Sequence, residues 1–218
     1  MAIKFVDMLE ALRGRVARMT SLVQQIVEQS VESIVNLDVK LAEKVIAIDN
    51  RIDEEEVQVE KQAIDLLARY QPAAGDLRLI TSIIKANSDF ERIADGAVNI
   101  AQRVPLLASM GDYLVSSDLR VMANTAVGTL RDTINAFNLS DLALAQQVLK
   151  ADDVVDALYH TIITDSLSSL EAEHRANRDL ATIMVAKNIE RIGDHCTNIA
   201  EDIVYVQSGR IIRHLHAS

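Results

Sequence analysis

Residues 189–206 read IERIGDHCTNIAEDIVYV, and their apolar positions decide the fold. Ile189, Ile192, Cys196, Ile199, Ile203 and Val206 recur at alternating spacings of three and four. That rhythm lays them along one stripe of an α-helix, the seam of a rod packed nearly parallel to its neighbours. A strand alternates with period two and cannot present it. Residues 90–107, FERIADGAVNIAQRVPLL, repeat the pattern with Phe90, Ile93, Ala97, Ile100, Val104 and Leu107.

Breaks between such rods are few. Asn36, Leu37 and Asp38 interrupt the first long pattern, and Asn138, Leu139, Ser140 and Asp141 a later one. The turn YQPAAGD (70–76) ends in a candidate N-cap, Asp76, and Asp179 after Ala176, Asn177 and Arg178 is another. Pro105 and Gly111 mark the mid-chain connection. The reading is an all-α chain of six long helices, over 4–36, 38–70, 76–108, 114–138, 141–174 and 179–207. Composition agrees: 2 Pro, 7 Gly and 3% aromatics in 218 residues leave little material for strands and tight turns.

The two halves are copies. Asp38, Ala42, Val45, Asp49 and Asp53 match Asp141, Ala145, Val148, Asp152 and Asp156 at an offset of 103. Glu91-Arg92-Ile93 and Asn99-Ile100-Ala101 match Glu190-Arg191-Ile192 and Asn198-Ile199-Ala200 at an offset of 99. The difference is an insertion of about one helical turn near the start of the third helix. Two tandem three-helix bundles follow, 1–111 and 112–218.

Each half carries two pairs of acids spaced i, i+4, which places both members on one helix face. The first half has Asp49/Asp53 and Glu91/Asp95; the second has Asp152/Asp156 and Glu190/Asp194. Heptad lettering puts the Glu91/Asp95 and Glu190/Asp194 pairs on the outer face, away from the core. Neighbouring second and third helices would bring four carboxylates to one surface groove. Oxygen-only ligands suit hard ions such as Mg²⁺, Ca²⁺, Mn²⁺ or iron, ahead of zinc. Asn99 and Asn198 could add an amide oxygen, and His195 a nitrogen in the second half alone. The competing account is that the acids are solvated and neutralised by Arg92 and Arg191 in surface ion pairs.

Other polar residues have simpler explanations. Glu171 and His174 have the Glu-x-x-His spacing of di-iron bundles, but such sites need two inward-facing copies. Cys196 sits on the seam as a small core residue, and one cysteine excludes an intramolecular disulfide. His214 and His216 belong to a C-terminal tail. The net charge of -10 argues against nucleic acid as a partner. No signal peptide or membrane-spanning run is read, so a cytoplasmic protein is expected, touching membranes only through partners.

Residues 190–201, ERIGDHCTNIAE, together with ERIADGAVNIA at 91–101, resemble the paired signature of the PhoU family of phosphate-uptake regulators. The resemblance covers nearly the whole chain, including QPAAGDLR (71–78) and the tail-proximal Tyr205, Gly209, Arg213 and His214. It implies two three-helix bundles, a homodimer and no catalytic activity. It also implies a cytoplasmic negative regulator of the phosphate-starvation response. Such a regulator links the ATPase subunit of the phosphate ABC transporter to a membrane sensor histidine kinase. Iron or other hard divalent metal clusters are implied at Asp49/Asp53 with Glu91/Asp95, and at Asp152/Asp156 with Glu190/Asp194. Ala94 and Gly96 depart from the usual glycine and histidine, which casts more doubt on metal in the first set than in the second. A carboxylate-bridged metal enzyme, a metal-storage protein and an inert helical scaffold are the alternatives.

Overall fold

A computed structural model describes residues 2–168 and 176–210. Among them there are six long helices and no strand: α1 (Ala2–Asn36), α2 (Val39–Tyr70), α3 (Ala74–Ala101), α5 (Ser117–Leu139), α6 (Leu142–Ser168) and α7 (Ala176–Ser208). A short α4 (Val104–Ala108) follows α3. The rod expected over 76–108 is therefore broken. Pro105 near the start of α4 has no N–H to offer the carbonyl of Ala101, so the chain turns at Gln102 and Arg103 and starts a new helix.

Helices α1, α2 and α3 pack on one another, as do α5, α6 and α7. The two bundles join along α3 and α7, with α1 also meeting α5. Both seams read from the sequence are buried except for Val206, which is half-exposed. One hydrophobic cluster runs through both halves, and Phe90 meets Phe137 edge-on across them at 5.6 Å. No helix among the described residues is long and apolar enough to cross a membrane.

The duplication reaches the details of the turns. Leu37 and Ser140, one offset apart, are both left-handed, with φ of 54° and 52°. Asp38 N–H donates to the Ser33 carbonyl at 2.8 Å, and Asp141 N–H to the Ala136 carbonyl at 2.9 Å. Each is the long hydrogen bond that closes a helix C-terminus. The same aspartates then cap the next helix: Asp38 accepts from Leu41 N–H, and Asp141 from Ala143 and Leu144 N–H. Asp141→Ala is expected to cost about 1 kcal/mol in a urea melt, the usual loss of a helix cap; an unchanged midpoint would contradict it.

Two expected caps are misplaced by a few residues. Helix α3 starts at Ala74 after Ala73, so Asp76 lies inside its first turn, where its charge faces the helix dipole. Asp179 lies inside the first turn of α7, buried and paired with Arg178 Nε at 2.9 Å.

Candidate functional site: a carboxylate groove

The first-half acids lie on two helices that pack against each other. Asp49 and Asp53 project from α2, and Glu91 and Asp95 from α3, which packs against it. The contact is pinned at this level by buried Asn87, whose Nδ2 donates to the Glu56 carbonyl at 3.0 Å. Burial and the charges of Asp53 and Asp95 raise the pKa of Asp49. Glu91 is pushed up from 4.5 to about 7, first by burial, then by Asp95, Glu56 and Asp53, with Arg92 opposing. A carboxyl beside several others resists losing its proton, because each new negative charge costs Coulomb energy.

Glu56 is a fifth member that the sequence reading missed. Its pKa is also raised, by burial and then by Glu60, Asp53 and Asp95 against Arg92. It lies seven residues from Asp49 and three from Asp53, on the same face of α2. That spacing was visible, but only acids repeated in both halves were singled out. The counterpart of Glu56 is Tyr159, so the repeat itself hid it.

The heptad placement needs correction. Glu91 and Asp95 are half-buried rather than on an outer face, the Glu91 side chain being 22% exposed. Helix α3 is surrounded by α1, α2 and α7, so positions beyond the seam also meet neighbours. Arg92 stays only loosely with Glu91, at 3.8 Å. Among the described residues, no three His, Cys, Asp or Glu side chains converge as a ready-made metal site.

The second half is built differently. Lys187 Nζ reaches Glu190 Oε2 at 2.6 Å and lies 5.3 Å from the centre of the Tyr159 ring. A cation of the protein's own thus occupies the position that faces Glu190. Asp194 and Asp156 are exposed; the pKa of Asp194 is raised by burial, Glu190 and Asp156, against Lys187 and His195. Asp152 lies on α6, but its side chain is outside the described residues. His195 turns toward the other bundle, its Nδ1 2.9 Å from Asp89 Oδ1 on α3, with Asn198 Nδ2 3.5 Å from the same oxygen.

Gly96, the counterpart of His195, is explained by packing. A Cβ there would lie 3.2 Å from Ile192 Cγ1 and 3.5 Å from the Asn188 carbonyl. The glycine lets α3 and α7 approach closely where the bundles join. Cys196 is buried as expected. The Glu171/His174 spacing, Arg213, His214 and His216 lie outside the described residues.

Comparison with known proteins gives the family. The PhoU domain matches residues 16–104 and again 119–203. The chain belongs to the PhoU family. A curated PhoU relative, the "Phosphate-specific transport system accessory protein PhoU homolog" of Aquifex aeolicus, is 37% identical over 209 residues, covering 95% of each chain. The solved PhoU structure from Pseudomonas aeruginosa superposes with a TM-score of 0.91 at 34% identity, covering 94% of this chain and 100% of that one. The phosphate transport system regulatory protein PhoU from Streptococcus pneumoniae gives 0.88 at 25% identity, covering 95% and 98%.

Proposed function

We propose that this chain is a cytoplasmic, non-catalytic negative regulator of the phosphate-starvation response and of high-affinity phosphate uptake. It acts by contact, as a homodimer, between the ATPase subunit of a phosphate ABC transporter and a membrane sensor histidine kinase. The observation that carries this reading is the double PhoU domain, in a chain whose full-length relatives are named phosphate transport system accessory proteins. Helix α2 supports docking, with Ile46, Val57 and Ile64 exposed on its surface among charged residues. Signalling by such a module requires different affinity for two states of the transporter.

The groove fits a hard cation by its donor chemistry. Five carboxylates, three of them (Asp49, Glu56 and Glu91) with raised pKa, would be relieved of mutual repulsion by Mn²⁺, Mg²⁺ or iron. Asp49, Asp53, Glu56, Glu91 and Asp95 would hold it, and it would supply positive charge tying α2 to α3. Asp152, Asp156, Glu190 and Asp194 form the second set, in which Lys187 already supplies positive charge.

Deleting the gene is expected to leave phosphate-starvation phosphatases expressed in high-phosphate medium. Normal repression in the deletion strain would overturn the regulatory reading.

A further inference from the structure

The last turns of α7 border an open cleft of about 440 Å³, formed with α1, α3 and the α5–α6 turn. Its apolar lining includes Leu79, Phe137 and Val206, all only half-buried, beside the buried Ile83 and Ile203. Val206 is the last residue of the α7 seam and the one that packing leaves uncovered. Leu139, on the turn between the lining residues Asn138 and Ser140, is 75% exposed. Apolar surface gathered in one place gains by being covered.

The lining is also polar enough to receive a polypeptide. Ser82, Asn138 and Ser140 stand among the apolar residues, and the buried Ser82 hydroxyl has no hydrogen-bond partner. A peptide brings N–H and C=O groups that need such partners once they leave water. Asp202 in the same wall is already engaged by Lys85, so no charge is required of the occupant there.

The chain itself supplies a segment of matching character. Residues 211–218 read IIRHLHAS and lie outside the described residues. At helical spacing Ile211, Ile212 and Leu215 share one face, with Arg213, His214 and His216 on the other. The segment has no Asp or Glu, in a chain of net charge -10, and Glu10 contributes to the cleft from α1.

Its point of departure is fixed. Arg78 Nε donates to the Val206 carbonyl at 3.4 Å, and Gln207 Nε2 to the Ser140 carbonyl at 3.1 Å, which pins the end of α7 to α3 and to the α5–α6 turn. Gly209, left-handed at φ 70°, donates its N–H to the Tyr205 carbonyl at 2.8 Å. Such a residue closes a helix and turns the chain off its axis, which glycine does without strain. Eight residues reach about 26 Å when extended, so the cleft beside Val206 is within range.

We propose that residues 211–216 fold back into this cleft of their own chain. Ile211, Ile212 and Leu215 cover Leu79, Phe137 and Val206, the segment's backbone meets Ser82, Asn138 and Ser140, and Arg213 faces Glu10. Because α1 and α3 belong to one bundle, and the α5–α6 turn and α7 to the other, the seated segment straps the two halves together.

The test places a tryptophan at position 215 of the full chain (Leu215→Trp), since the protein has none of its own. Its emission is expected to be blue-shifted and shielded from acrylamide. Gly14 also lines the cleft, and a Cβ there meets nothing closer than Arg18 Nη1 at 3.9 Å. Adding Gly14→Leu is therefore expected to take up cleft space, release the reporter and raise its quenching several-fold, with helicity kept. A second comparison keeps the native side chains. Ending the chain at Arg210 is expected to move the NMR amide signals of Val16, Ile83 and Phe137, and it decides the matter should the indole be too large to seat. Unmoved cleft amides, a reporter equally shielded with and without Gly14→Leu, or a red shift on dilution, which would put the segment on a second copy, would each overturn the proposal.

Discussion

Gly96→Leu is expected to destabilise the protein by about 3 kcal/mol, the upper range for forcing bulk into a packed contact. The reason is local. The first added carbon already falls 3.2 Å from Ile192 Cγ1, and the Asn188 carbonyl, part of the helix backbone, stands 3.5 Å away. A branched side chain must push α7 off α3 along the junction that unites the bundles. Gly96→Ala should stay within about 1 kcal/mol of the parent, since improved helix propensity offsets mild crowding. Urea melts of the two variants check this. Equal midpoints for alanine and leucine would mean that the bundles do not pack closely at Gly96.

Glu91→Gln is expected to do the opposite and stabilise the metal-free protein at pH 8. The folded carboxyl titrates near 7 and the unfolded one near 4.5, so between those values the folded state holds a proton that the unfolded chain has released. Stability from this group is therefore full below about 4.5, falls as pH rises, and levels off above about 7. The shift would correspond to about 3 kcal/mol, which solvent screening at a partly exposed site reduces to about 2. Glutamine keeps the shape without the charge. Thermal melts from pH 4 to pH 8 in a chelator should show the variant's advantage only at the upper end. A constant difference across that range would place the effect elsewhere than in ionisation.

The fold was legible because its signals are periodic and repeated. The seams of Phe90 to Leu107 and Ile189 to Ile203 needed only spacing, and the offset between Asp38 and Asp141 proved to carry a duplicated turn with it. What escaped was set by neighbours in space. Pro105 was visible, but its effect was under-read, so one rod became a helix and a short extension. The partial burial of Glu91 and Asp95 depends on α3 being enclosed by three helices, which a single helix's periodicity does not reveal. Glu56 was hidden by reliance on the repeat, and the close approach of α7 to Gly96 depends on how the two bundles pack. Lys187 had an evident i, i+3 relation to Glu190, yet its position over Tyr159 needed the packing of α6 against α7.

These differences turn a sequence that looks doubly symmetric into a protein with unequal halves. One groove holds Asp49, Glu56 and Glu91 with pKa values raised by burial and by neighbouring carboxylates, while the other includes a lysine paired to its central glutamate. The direct measurement is equilibrium dialysis of Mn²⁺ against the full chain, beside a Glu56→Gln/Glu91→Gln variant and an Asp156→Asn/Asp194→Asn variant. The first-half variant is expected to lose at least about tenfold in affinity, with the second-half variant close to the parent. Loss confined to the second-half variant, or no Mn²⁺ binding by the parent, would contradict the assignment of the metal to the first half.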